Sequence, residues 1–384
     1  MKDAPSPLSL GEARLLVIKI GSALIVDSDV AEPRASWLAS VAADIAAIKT
    51  SGTQVVVVSS GAIALARRQL RLTQARLRLE EKQAAASVGQ IRLAQAWSEA
   101  LSRHRITAAQ LLLTLSDTED RRRYLNARAT LRTLLELGCV PVINENDAVA
   151  TSEIRFGDND RLAGRVAEMI EADQLVLLSD IDGLYTADPK RDPTAAHIPI
   201  VAAITPEVEA MGGAPPPGFS SGGMRTKLTA ARIATQAGCA MAIARGDVMH
   251  PLAAIQAGAR CTWFLPTPGG RSARKKWIAG ALSPLGRISV DDGASHAIMR
   301  GASLLPAGIT HVEGAFERGD PVEIVGADGR LLARGLCAYS ATDARLIAGH
   351  HTDAIERLLG WRGRDEVLHR DDLVLLATTS SPTS

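Results

Sequence analysis

The chain has 384 residues, 46% hydrophobic and 22% charged, which suits one large packed domain with a smaller companion and excludes a disordered chain. A formal net charge of +1 gives no whole-molecule field for nucleic acid or acidic lipid, and 3% aromatic content argues against a surface that stacks single-stranded bases. Residues 1–10 lack the apolar core of a signal peptide, and no apolar run reaches the about 20 residues that span a bilayer. Cys139, Cys239, Cys261 and Cys337 form no CxxC pair, so free thiols in a reducing cytoplasm are the expectation.

From Arg14 to Leu265 short apolar runs alternate with longer Ala-rich stretches. Leu15–Ile18, Val55–Val58, Val140–Ile143, Leu175–Leu178 and Met241–Ala244 read as strands buried on both faces of a parallel sheet. A helix is predicted from Ser116, with Glu119 at capping-box spacing, to Gly138. A second begins at Thr205-Pro206-Glu207, and a third runs from Gly222 to Gly238. Strand and helix in repetition predict a three-layer α/β domain over 14–265, after an N-terminal extension at 1–13. A breaker-rich, basic stretch gives a linker at 266–282. Beyond it, short β-type pieces such as Val322–Val325 and Leu331-Leu332 predict a small, mostly β domain over 283–375, with a tail at 376–384.

Polar residues gather where the strands end. Lys19 with Gly21-Ser22 closes the first strand, Ser59-Ser60-Gly61 the second, Asn144 to Asp147 the third and Ser179-Asp180 the fourth. Ligands of open α/β sheets bind outside the carboxyl ends of the strands, so one continuous site is expected along that edge. Turn preference accounts for the Gly, Ser, Asn and Asp, but not for a lysine inside Val17-Ile18-Lys19-Ile20. Ser221-Gly222-Gly223-Met224-Arg225-Thr226-Lys227 combines close backbone approach with a helix N-terminus and a lysine, a setting for phosphate, though it contains neither GxxxxGK[ST] nor GxGxxG. Gly157-Asp158-Asn159-Asp160, with Asn144 and Asp147, offers amides and carboxylates to a zwitterionic substrate, at spacings that are not those of a calcium loop. These parts suit phosphoryl transfer, with Lys19 and Lys227 as the positive charge, Asp180 holding the lysines, and Mg²⁺ carried on the nucleotide rather than by a protein-built metal site.

In order and spacing, Val17 to Ser22, Ser59 to Ile63, Leu125 to Arg128, Val142 to Val149, Phe156 to Asp160, Gly183 to Thr186 and Gly222 to Lys227 resemble the glutamate 5-kinase family, from about Arg14 to Leu375. The resemblance implies an amino-acid kinase fold with a mainly parallel central sheet, followed by a PUA domain. It implies the reaction of MgATP with L-glutamate to give L-glutamyl 5-phosphate and ADP, the first step of proline synthesis. Carried onto this sequence, Lys19 and Lys227 would stabilise the transferring group and Asp180 would organise them. Ser60, Asn144, Asp147, Asp158, Asn159 and Asp160 would form the glutamate pocket, with Asp147 on the ammonium. Lys19, Ser179, Asp180 and the residues from Ser221 to Lys227 would line the ATP site. Feedback inhibition by proline, a homo-oligomer and a reductase that consumes the acyl phosphate are further implications. An RNA-binding role for the C-terminal domain is the rival from another class. From Ser283 to Ser384, however, 10 Arg and no Lys face 14 Asp and Glu, which is the wrong sign for a polyanion.

Overall fold

The computed structural model describes residues 10–27, 30–74, 77–150, 158–213, 223–270 and 284–376. The chain divides into two compact units, Met1–Gly270 and Arg271–Ser384. Most of the expected linker, the proline-rich stretch at 214–218, Ser221 and Gly222 lie outside the described residues.

In the first unit, β1 (Leu15–Ile20) runs into α1 (Ser22–Ile25) and a two-residue ribbon, β2 (Val26–Asp27) with β3 (Glu32–Pro33). Helix α2 (Ala35–Thr50) leads to β4 (Gln54–Ser59), and α3 (Ala62–Arg67) and α4 (Leu79–Ser102) lead to β5 (Ala108–Leu113). After α5 (Leu115–Glu119) and α6 (Arg121–Glu136) come β6 (Val140–Glu145), α7 (Asp158–Ile170) and β7 (Gln174–Ser179). A second ribbon, β8 (Leu184–Tyr185) with β9 (His197–Ile198), precedes β10 (Ile200–Val201), α8 (Pro206–Ala210) and α9 (Met224–Gln236). The unit closes with β11 (Ala240–Arg245), α10 (Pro251–Gln256) and β12 (Cys261–Phe264).

Eight strands form one sheet in the order β10-β12-β11-β7-β1-β4-β6-β5. All neighbours pair in parallel except β11 with β12. The strand sequences are apolar on both faces because both faces are covered. Leu16, Ile18, Ile20, Val55 and Val57 face a core with α2 and α4, while Leu15, Val17, Val56 and Val58 face a second core with α6, α7 and α9. Alternation therefore places Lys19 on the face of Leu15 and Val17, at the margin of the second core.

The helix expected from Ser116 to Gly138 is two helices. Thr114, rather than Ser116, is the first cap: its Oγ1 accepts from Asp117 N while Asp117 Oδ2 accepts from Thr114 N. Extended backbone at Asp120 breaks the run, and the Asp120 carboxylate caps α6 by accepting from Arg123 N at 2.9 Å. Each such cap contributes about 1 kcal/mol, enough to favour a break over a continuous helix. Within Arg121-Arg122-Arg123, Arg123 pairs with Asp117 at 3.2 Å on the exposed helix face.

The second unit is built on a five-stranded sheet of β13 (Gly286–Val290), β14 (Ile309–Gly314), β15 (Pro321–Val325), β16 (Leu331–Leu336) and β17 (Leu373–Leu375), ordered β14-β13-β15-β16-β17. Helices α11 (Asp292–Met299), α12 (Ala341–Ile347) and α13 (Ile355–Leu359) join a separate core with Ile288, Val322, Ile324 and Tyr339. Among the described residues, no helix is long and apolar enough to cross a membrane.

Candidate active site

The parallel strands bring their carboxyl ends into one row, with Gly246, Ser179, Ile20, Ser60 and Asn144 at or beside the ends of β11, β7, β1, β4 and β6. Backbone bonds hold the row together: Ser60 N donates to Ile20 O at 3.1 Å, and Gly246 N donates to Ser179 O at 2.7 Å. Gly61 turns the chain from β4 into α3 with φ +117°, a value that strains any residue bearing a Cβ.

At the centre of the row a single carboxylate joins two lysines. Asp160, in the first turn of α7, has no exposed surface. Lys19 from β1 reaches its Oδ1 at 2.5 Å, and Lys227 from the first turn of α9 reaches its Oδ2 at 3.3 Å. Thr226 Oγ1 donates to the same Oδ2 at 2.7 Å. Both lysines are themselves buried, at 8% and 6% exposure. Burial alone would raise the Asp160 carboxyl, but Lys19 and Lys227 outweigh it and hold the group below the usual carboxylate range. Lys227 is drawn below the usual lysine value of 10.5 by burial and by the like charge of Lys19, with Asp160 opposing. Asp160 is thus ionised at neutral pH, and two ammonium groups share it.

The expectation for Asp180 is corrected by this geometry. The carboxylate between the lysines is that of Asp160, whereas Asp180 leaves 74% of its side chain exposed and lies 3.9 Å from Lys190. Asp180 follows the last residue of β7 and projects outward, accepting from Ser179 Oγ at 3.1 Å, while Asp160 is carried inward by the first turn of a buried helix. Its effect on Lys227 is the last of the causes acting there.

Beside the lysines runs a chain of amides. Asn159 Nδ2 donates to Ser60 Oγ at 2.7 Å and to Asn144 Oδ1 at 3.1 Å, and Asn144 Nδ2 donates to Gln90 Oε1 at 2.7 Å. Asn159 Oδ1 is buried and has no hydrogen-bond partner among the described residues. Consecutive positions on α7 therefore serve both groups, Asn159 in the amide chain and Asp160 between the lysines. Asp147 is half-buried in the turn after β6, and Asp158 opens α7. Gly223 is the N-cap of α9, followed by half-buried Met224 and exposed Arg225; Ser221 and Gly222 lie outside the described residues. Gln90 and the bond from Thr226 to Asp160 are the contributions that sequence reasoning missed. The seven-residue spacing of Gln83, Gln90 and Trp97 on α4 was the available signal for Gln90.

The arrangement can do two things chemically. Two ammonium groups on rigid elements, sharing one carboxylate, present positive charge to a polyanion. A buried amide oxygen and a hydroxyl that already accepts from Asn159 offer an acceptor and a donor to a polar ligand alongside. Among the described residues no group of three or more His, Cys, Asp and Glu is arranged to hold a metal ion.

The model of the amino acid kinase family matches residues 14–245, and that of the PUA domain matches residues 286–359. A glutamate 5-kinase of Paramagnetospirillum magneticum is 61% identical over 366 residues, 95% of this chain and 99% of its own length. One of Gluconobacter oxydans is 63% identical, covering 95% of this chain and 97% of that protein. A glutamate 5-kinase 1 of Rhizobium meliloti is 59% identical over 373 residues, 97% and 95% of the two chains.

Proposed function

The chain belongs to the glutamate 5-kinases of the amino acid kinase family, and from that premise we propose that its site transfers the γ-phosphoryl group of ATP to the side-chain carboxylate of L-glutamate. The observation that carries this reading is the contact of Asp160 with both Lys19 and Lys227, directly beside the Asn159–Ser60–Asn144 amide chain. A carboxylate oxygen of glutamate attacks the γ-phosphorus, the bond to the bridging oxygen breaks, and ADP departs with its electrons. The protein does little covalent work in such a transfer; it holds the partners in line and stabilises negative charge on the equatorial oxygens.

Lys19 and Lys227 supply that charge, and Asp160 keeps both ammonium groups aimed at one point. Ser179, Asp180 and the start of α9, from Gly223 to Thr226, line the nucleotide side. Ser60, Asn144, Asp147, Asp158 and Asn159 form the acceptor side, with Asp147 on the substrate ammonium. Magnesium enters bound to the nucleotide. The product is an acyl phosphate prone to hydrolysis, which calls for a reductase that consumes it promptly. Inhibition by proline, assembly into a homo-oligomer and a cytoplasmic location complete the proposal.

The test is an acceptor panel of L-glutamate, L-aspartate, N-acetylglutamate and UMP with MgATP. Hydroxylamine traps an acyl phosphate as a coloured hydroxamate, and ADP release is followed in parallel. Hydroxamate with L-glutamate alone is the expected result. Turnover with another acceptor, and none with glutamate, would overturn the assignment of the acceptor pocket.

A further inference from the structure

Helix α4 crosses the start of α3 so closely that a Cβ at Gly89 would lie 1.7 Å from Ala62 O. This close pass presents one face of α4 to the loops of the sheet edge, and three side chains seven residues apart use it. Gln83 Nε2 donates to Ala150 O at 2.9 Å, beyond the turn that carries Asp147. Trp97 Nε1 donates to Ser59 Oγ at 2.9 Å, next to Ser60. Between them Gln90 Oε1 accepts from Asn144 Nδ2.

The direction of that last bond propagates. A carboxamide has a donor end and an acceptor end, so Asn144, donating to Gln90, must turn its oxygen toward Asn159. Asn159 then spends Nδ2 on Asn144 and Ser60, and its own Oδ1 is left buried without a partner among the described residues. Ser60 Oγ accepts from Asn159 and so retains its hydrogen for donation. A buried amide oxygen without a partner is unfavourable by itself and is stabilised when a ligand brings a donor to it.

We propose that Gln90 is a positioning residue for the acceptor substrate: by accepting from Asn144 it fixes the polarity of the amide chain, so that Asn159 offers an oxygen to the substrate ammonium and Ser60 offers a hydroxyl to a substrate carboxylate. The inference rests on the reading of the acceptor as an amino acid. Gln90 acts through Asn144 and Asn159, so its removal should affect acceptor binding and leave the nucleotide side alone.

Steady-state kinetics of wild type, Gln90→Leu and Gln90→Glu, with thermal unfolding of each, decide it. Gln90→Leu removes the accepting oxygen at similar volume and is expected to raise KM for glutamate about tenfold, the loss of one net hydrogen bond. KM for ATP should stay unchanged. Gln90→Glu keeps an accepting oxygen and should restore most of the affinity for glutamate. Gln90→Leu with an unaltered glutamate KM, a parallel rise in both KM values, or a Glu variant no better than the Leu variant would each overturn the inference. If Gln90→Leu does not fold, the Glu variant decides alone: near-wild-type KM for glutamate supports the proposal, and a tenfold rise overturns it. A wild type silent with glutamate overturns the acceptor reading and this inference together, whereas an active wild type matched by Gln90→Leu overturns this inference only.

Discussion

One carboxylate shared by two buried lysines leaves the Lys19–Asp160–Lys227 group with a net positive charge, and that surplus is what a nucleotide polyphosphate would neutralise. The cost falls on Lys227, whose ammonium is destabilised by burial and by Lys19 and only partly restored by Asp160. A lysine whose folded-state pKa lies below 10.5 releases its proton as pH rises through that lower value, and the charge available to phosphate goes with it. Affinity for MgATP, measured calorimetrically without glutamate, is therefore expected to fall along an alkaline limb centred below pH 10.5. A limb at or above that value would contradict the assignment. The sequence drew attention to both lysines and to the Gly157–Asp160 cluster, because a lysine in an apolar strand and a dense polar motif are visible in one dimension. It could not show which carboxylate meets the lysines: that depends on the phase of the first turn of α7, which puts Asp160 inward and Asn159 against Ser60.

Elements differ in how openly their sequences announce them. The five central strands were legible because burial on both faces makes them continuous apolar runs, and all five appear where expected. The α5–α6 break was not, because two caps six residues apart, Thr114 and Asp120, sit inside a stretch whose overall composition favours one helix. Close contact between α3 and α4 was equally hidden, since a lone glycine inside a helical pattern reads as a weak helix former rather than as the point where another backbone passes. Gly89 has a definite consequence. Gly89→Ala forces a methyl group against the Ala62 carbonyl, which cannot move away without displacing α3. The expected loss is about 3 kcal/mol, at the upper end of the usual cost of overpacking, although alanine is the better helix former by about 1 kcal/mol. Chemical denaturation of the variant checks the sign: a neutral or stabilising outcome would show that the two helices part more readily than this contact implies.

Among the described residues the two units have separate cores, one pair of clusters on the two faces of the eight-stranded sheet and one around the five-stranded sheet, with no residue in common. A ligand that binds only the native first unit should stabilise that unit alone, by about 2.7 kcal/mol at one hundred times its dissociation constant. Calorimetry with a non-hydrolysable ATP analogue is expected to move the transition of the first unit and leave that of the second in place. A common shift of the entire endotherm would instead mean that the units unfold as one. The order of the large sheet has a different kind of consequence. On the proposed assignment of the site, β11 and β7 would stand on the nucleotide side, β4 and β6 on the acceptor side, and β1 with α7 between them. On that proposal, heritable changes in β4, β6 or α4 would alter which small molecule is accepted, while the lysine machinery is passed on intact from β1, α7 and α9. A lineage built on this edge can diversify its diet without having to reinvent its chemistry.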